Sequence, residues 1–174
     1  MIKNIVLAMI VLVTLSCKGQ AKEVVERITI SSDEVKATVT FLASDDIQGR
    51  DTGSEGIAEA ATYIEKQLTS FGVKPNYDTF RDHFKAKELD AYNVVGYLEG
   101  TDPVLKNEVV LIGAHYDHIG IRKTTETDSI ANGANDNAAG TAGVLAMAKF
   151  FASQNNHKRS MLFVLFSAEE KGLE

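Results

Sequence analysis

The sequence predicts an α/β protein with a three-layer α/β/α arrangement around a mostly parallel mixed sheet. Two short apolar runs, over residues 109–113 and 161–166, have the pattern of strands that are buried on both faces. Between them, residues 138–151 carry apolar side chains at helical spacing. Strand, helix and strand at this spacing form a βαβ unit, so the two apolar strands are predicted to be parallel.

The residues before this unit predict two helices and two further strands. The first helix begins at Asp33 after a serine cap, and the second begins near Ser54 and ends at Gly72. A turn-rich loop separates the two helices. Strands are predicted over residues 77–84 and 93–98, where β-branched and aromatic residues recur.

The amino terminus has the pattern of an export signal. An almost unbroken apolar run over residues 5–15 is short for a membrane span but suits a signal peptide. The run ends near Cys17, the only cysteine, in a context that resembles a bacterial lipobox. We predict a lipoprotein signal peptide over 1–16, a tether over 17–30 and a folded segment over 31–174. The alternative is ordinary signal cleavage, and either interpretation places the mature protein outside the cytoplasm, lipid-anchored, periplasmic or secreted.

The composition excludes several other classes of protein. With 44% hydrophobic and 24% charged residues, the chain has an ordinary globular composition. Its net charge of −6 is opposite to the basic surface that nucleic-acid binding needs, so we expect no nucleic-acid partner. A single cysteine excludes an internal disulfide framework.

Polar side chains follow both apolar strands. His115 and Asp117 come directly after the first strand, and Glu169 and Glu170 come after the second. Asp136 lies just before the helix that connects the strands. Because ligands bind outside the carboxyl ends of strands in open α/β sheets, we expect these five side chains to converge there.

These residue types suit a metal centre. His115 offers an imidazole, and Asp117, two residues further along extended chain, points the same way and can orient the ring. The Asp136 carboxylate can bridge two metal ions, although a helix cap would also explain it. Glu169 and Glu170 diverge, so one can bind metal while the other accepts a proton from water. Each cluster alone is also compatible with a solvated surface loop.

Taken together, these motifs resemble the co-catalytic zinc aminopeptidases of clan MH. The motifs are Gly-Ala-His-Tyr-Asp-His over 113–118, the Asn/Gly/Ala-rich segment over 132–143, and Phe-Ser-Ala-Glu-Glu-Lys-Gly-Leu over 166–173. The segment 48–56 also resembles the front end of the family. Members include bacterial leucyl aminopeptidases, aminopeptidase Y, glutamate carboxypeptidase II and glutaminyl cyclases. The resemblance extends over residues 32–174.

The resemblance implies a phosphorylase/hydrolase-like fold, a role for each residue and a reaction. His115 would bind one zinc ion and Glu170 the other, with Asp136 bridging the two ions. Glu169 would be the general base, and Asp117 would orient the histidine ligand. The peptide bond after Asp136 is expected to be cis. The implied activity is removal of amino-terminal residues from peptide substrates by a zinc-bridged hydroxide.

The resemblance also implies two further zinc ligands, an Asp and a His, beyond Glu170. The sequence ends at Glu174 without them, so we expect residues 31–174 to be a truncated, amino-terminal part of the peptidase domain. The activity would then belong to the complete protein. We also expect the 161–166 strand to form an exposed edge of the sheet, which would favour aggregation.

Other functions on this scaffold remain open. A glutaminyl cyclase, which uses one zinc ion, and a carboxypeptidase are the enzymatic alternatives, and a surface-tethered binding module is the non-enzymatic one. A role for His118 near the site is also open. His83 and His157 lie in a strand end and a polar loop, where we expect them to be structural or solvent-exposed.

Overall fold

The computed structural model describes residues 29–122 and 128–172. The predicted signal peptide, Cys17 and nearly all of the predicted tether lie outside these residues. In the part that is described, no helix is both long and apolar enough to cross a membrane.

Three α-helices begin close to where the sequence predicts them. They are α1 (Ser32–Leu42), α2 (Glu55–Ser70) and α3 (Ala139–Gln154). The hydroxyl oxygens of Ser31 and Ser54 cap α1 and α2 by accepting hydrogen bonds from first-turn backbone N–H groups. These caps confirm both predicted helix starts.

The strands differ in length from the prediction. They are β1 (Lys74–Pro75), β2 (Arg81–Ala86), β3 (Leu89–Leu98), β4 (Val109–His115) and β5 (Ser160–Phe166). The strand predicted over 77–84 begins later, and the one predicted over 93–98 begins earlier. The reason is that β2 pairs along its whole length with residues 89–94 of β3 as an antiparallel hairpin, which includes polar residues that have no strand-like pattern.

The sheet is mixed. Its strand order is β1-β3-β5-β4, with β2 also pairing with β3. The β4–β5 pair is parallel, which confirms the predicted βαβ unit, and the other described pairings are antiparallel. The α/β fold with a mixed sheet is thereby confirmed.

The prediction that the 161–166 strand forms the exposed edge of the sheet is wrong. Strand β5 lies between β3 and β4, so among the described residues the exposed apolar edge is β4. Val109 and Leu111 are 56% and 55% exposed, so β4 is not buried on both faces as its sequence predicted. An apolar run shows that a strand is suited to burial, but it does not show which of two parallel strands pairs with a third.

One hydrophobic core joins the helices to the sheet. It combines Leu42 of α1, Ile64 of α2, Leu145 of α3 and Phe163 of β5, all buried. Because the three helices contact one another, the described helices form a single layer on the sheet. This packing fixes the carboxyl ends of β4 and β5 side by side, where Tyr116 N–H donates to the carbonyl oxygen of Phe166 at 2.8 Å.

Candidate metal centre

His115 is the last residue of β4 and is held from one side of its ring. Its Nδ1 atom lies 3.2 Å from the backbone carbonyl oxygen of Asp117 and 3.5 Å from the Asp117 carboxylate. A metal-bound histidine usually donates its other N–H to a carbonyl or carboxylate in this way. The structure therefore brings His115 and Asp117 together as predicted, and leaves Nε2 directed elsewhere.

Asp136 lies opposite that free nitrogen. The distance from His115 Nε2 to Asp136 Oδ1 is 3.0 Å. Asp136 belongs to a wide turn, Ala134–Ala138, that leads into α3, and its peptide bond to Asn137 is cis, as the resemblance implies. The Asp136 side chain is 63% exposed, so its second oxygen is accessible to a ligand.

Glu169 and Glu170 follow β5 in a short 3-10 turn, Glu169–Lys171. Their carboxylates diverge as predicted. Glu170 Oε1 lies 2.7 Å from His118 Nδ1, whereas Glu169 Oε2 lies 4.0 Å from His115 Nε2. The two neighbouring glutamates therefore face different histidines.

His118 is the residue whose place the sequence left open. One nitrogen of His118 and one oxygen each of Asp136 and Glu170 lie within 4.8 Å of one another. Asp136 thus belongs to two groups, one with His115 and one with His118 and Glu170. The signal in the sequence was only that His118 immediately follows the His-Tyr-Asp motif.

Asp117 does more than orient a histidine. Its carboxylate is fully buried and accepts hydrogen bonds from the Thr52 hydroxyl (3.3 Å), Glu169 N–H (3.3 Å) and Glu170 N–H (3.2 Å). Burial raises the pKa of Asp117, and the backbone hydrogen bonds from the two glutamates act in the opposite direction. Asp117 therefore ties the β4 exit to the glutamate turn, a role that its sequence position did not predict.

The remaining histidines lie away from this cluster. His83 is exposed on β2, with its ring tilted against Tyr92. His157 is nearly buried, with Nε2 2.9 Å from the carbonyl oxygen of Glu99. Both placements agree with the structural or exposed roles expected for them.

The donor atoms present are suitable for zinc. Zinc in proteins is bound by imidazole nitrogens and carboxylate oxygens, and catalytic sites use about three protein ligands. His118, Asp136 and Glu170 supply such a set, and His115 Nε2 lies 3.0 Å from Oδ1 of the same aspartate. The donor set therefore fits the metal that the sequence motifs implied.

The sheet carries histidines and carboxylates at the carboxyl ends of its parallel strands, and these side chains could hold a metal ion. Residues 93–174 match the profile of Peptidase family M28. A Zn-dependent exopeptidase from Parabacteroides distasonis is among the similar solved structures, with a TM-score of 0.62 at 20% identity over 82% of this chain and 48% of that chain. The resemblance to zinc peptidases predicted from the sequence is thus confirmed.

Other solved structures share this fold. A leucine aminopeptidase precursor from Bacteroides thetaiotaomicron matches with a TM-score of 0.64, at 21% identity over 84% of this chain and 50% of that chain. A glutaminyl cyclase from Tannerella forsythia matches with a TM-score of 0.63, at 21% identity over 81% of this chain and 48% of that chain. The chain spans half or less of the length of these structures. At such identities the likeness shows a common fold.

Proposed function

We propose that the complete protein is an exported zinc peptidase that removes residues from the amino terminus of peptides. The observation that carries the proposal is that Asp136 lies close to two histidines, one of which is paired with Glu170. A carboxylate has two oxygens, so one residue in this position can serve two metal ions.

Each residue has a distinct task in this proposal. His115, Asp136 and Glu170 would hold two zinc ions, with His118 beside Glu170. Bound zinc would polarise the scissile carbonyl and lower the pKa of water.

Glu169 supplies the base. Its side chain is 38% exposed and lies near His115 without forming the close pair that Glu170 forms with His118. It would accept a proton from the attacking water and return it to the leaving amine. Asp117 would keep the His115 ring in place through its Nδ1 atom.

Zinc removal tests the metal requirement. The complete protein is assayed on leucine p-nitroanilide before and after treatment with a chelator. We expect the chelator to abolish release of nitroaniline and added zinc to restore it, with about two zinc ions bound per active chain. Full activity in the zinc-free protein would contradict the proposal.

Glutaminyl cyclisation is the second candidate, because a glutaminyl cyclase shares this fold with almost the same TM-score as an aminopeptidase precursor. A peptide with amino-terminal glutamine distinguishes the two reactions by mass spectrometry. An aminopeptidase releases free glutamine, whereas a cyclase leaves the peptide intact with a loss of ammonia. Cyclisation with a single bound zinc ion would favour the second candidate, and shortening from the carboxyl terminus would indicate a carboxypeptidase.

We also propose that the protein is attached to a membrane outside the cytoplasm through lipid on Cys17. The support is the short apolar run that ends near the only cysteine. Stable attachment needs more than one acyl chain, which a lipoprotein modification provides. Cells producing wild type and Cys17→Ser are fractionated, and we expect only the wild type in the membrane fraction. Equal distribution of both would contradict lipidation.

A further inference from the structure

The loop before α2 has an unusual backbone. Three consecutive residues, Gln48, Gly49 and Arg50, have φ values of 46°, 70° and 53°. Two of them are not glycine, and such strained positions persist where the surroundings hold them, often at functional sites. A Cβ atom on Gly49 would lie 2.5 Å from the carbonyl oxygen of Ala131 and 2.8 Å from that of Gly120. The loop is therefore pressed against the two loops that flank the candidate metal centre.

The Arg50 side chain is completely buried and donates to four backbone carbonyl groups. Its Nε atom donates to Tyr116 at 2.8 Å, Nη1 donates to Asn132 at 2.8 Å and also to Leu42, and Nη2 donates to Gly133 at 3.1 Å. These acceptors belong to the end of α1, the exit of β4 and the two residues just before the turn that carries Asp136. One guanidinium group thus joins three segments.

The charge of Arg50 is balanced by the site itself. Burial lowers the pKa of Arg50 to about 10, and the charges of Asp117 and Asp136 act to raise it. The guanidinium remains protonated at neutral pH. Lysine cannot replace it, because a single ammonium group does not offer donors in the planar fork that reaches separate segments.

The next two residues reach the rest of the site. Thr52 donates to the Asp117 carboxylate at 3.3 Å. Asp51 accepts from the Lys171 ammonium at 2.5 Å, beside the glutamate turn. The backbone carbonyl of Arg50 accepts from His118 N–H at 3.1 Å. Residues 50–52 therefore contact every segment that carries a candidate ligand.

We propose that Arg50 is a positioning residue. Together with Asp51 and Thr52, it holds the segments that carry the candidate metal ligands at fixed distances from one another. The inference rests on the proposed metal centre. It assigns a role to the 48–56 motif, which lies outside the segment that matches the family profile.

The test uses cobalt as a spectroscopic probe in Arg50→Lys and Arg50→Met variants of the complete protein. Loss of residues that support ligands typically reduces metal affinity or activity by about 10- to 100-fold. We expect a loss of that size in cobalt affinity, a shift of the visible absorption bands, and a similar fall in kcat with little change in KM. Arg81→Met is the matched control, since it removes the same type of side chain at a place where its partner, Glu65, lies away from the site. It should keep the cobalt spectrum and kcat.

Wild-type cobalt affinity, spectrum and kcat in Arg50→Met would overturn the inference. If circular dichroism shows that Arg50→Met does not fold, Thr52→Val replaces it, since it removes one hydrogen bond to Asp117 and keeps the shape. We expect about a threefold to tenfold loss of cobalt affinity in Thr52→Val, and an unchanged affinity would overturn the inference. A wild-type protein that binds no cobalt would contradict the metal centre itself.

Discussion

Histidine and other polar side chains lie at both ends of the parallel β4–β5 pair, but their partners differ. At the amino end, Ser160 accepts from the Gly100 N–H at 3.0 Å and donates to the carbonyl oxygen of Lys106 at 2.7 Å. His157, nearby, faces a backbone carbonyl group. At the carboxyl end, His115 and His118 face carboxylates instead.

The difference separates structural polar groups from candidate ligands. The buried Ser160 hydroxyl, which also accepts from the Tyr97 hydroxyl at 2.9 Å, has used its hydrogen-bonding capacity and stabilises the fold. A carboxylate without its proton has about four lone-pair sites. Asp136 and Glu170 can therefore bind a cation in addition to the one histidine that each contacts. Residue type alone does not distinguish the two ends, whereas the identity of the partner does.

The largest expected effect is at the glutamate turn. Glu169→Gln removes the proton acceptor and keeps the ligands, so we expect turnover to fall by about 10²–10⁴-fold with zinc content unchanged. Glu170→Gln should instead lower the zinc content, because it weakens one ligand. Zinc content and the rate on leucine p-nitroanilide are measured for both variants. Equal zinc loss in the two would contradict the assigned roles.

A smaller effect on metal affinity is expected at His118, and His157 provides the comparison. His118→Ala should weaken metal binding by roughly 10- to 100-fold, whereas His157→Ala should leave it unchanged because its partner is a backbone carbonyl. Competition with a chelator of known affinity measures both. His118→Asn sharpens the result, since it can keep a hydrogen bond to Glu170 but is a poorer ligand. Equal affinities in His118→Ala and His157→Ala would remove the distinction between the two ends.

The smallest effect is at Ser160. Ser160→Ala leaves the Gly100 N–H, the Lys106 carbonyl and the Tyr97 hydroxyl without their partner. Leaving a buried polar group unpaired typically costs about 1–3 kcal/mol in the free energy of unfolding. Urea denaturation measures this loss, and metal affinity should not change. A variant with normal stability and weakened metal binding would show that the amino end also serves the site.

The sequence predicted the βαβ unit and the convergence of five site residues, because strand ends and residue spacing place them. It did not predict that His118 pairs with Glu170, since the two are 52 residues apart and meet only through the folded loops. The left-handed conformations of Gln48 and Arg50 could not be predicted, because a positive φ is usually signalled by glycine and neither residue is glycine. The position of β4 at the edge depends on which strand pairs with β3, and an apolar run does not encode that choice. The predicted domain boundaries and the lipid on Cys17 stay predictions.

The bonds of Arg50 connect the site to the folding reaction. Its carbonyl acceptors are 8, 66, 82 and 83 residues away along the chain, so most of them come within reach only after large loops have closed. Contacts of such long range are associated with slow folding, and an unfolded chain lacks the assembled donor set. If the proposed zinc centre forms, zinc at 100 times its dissociation constant would favour the folded state by about 2.7 kcal/mol. The fraction of the protein that is folded would then rise with the zinc concentration of its surroundings.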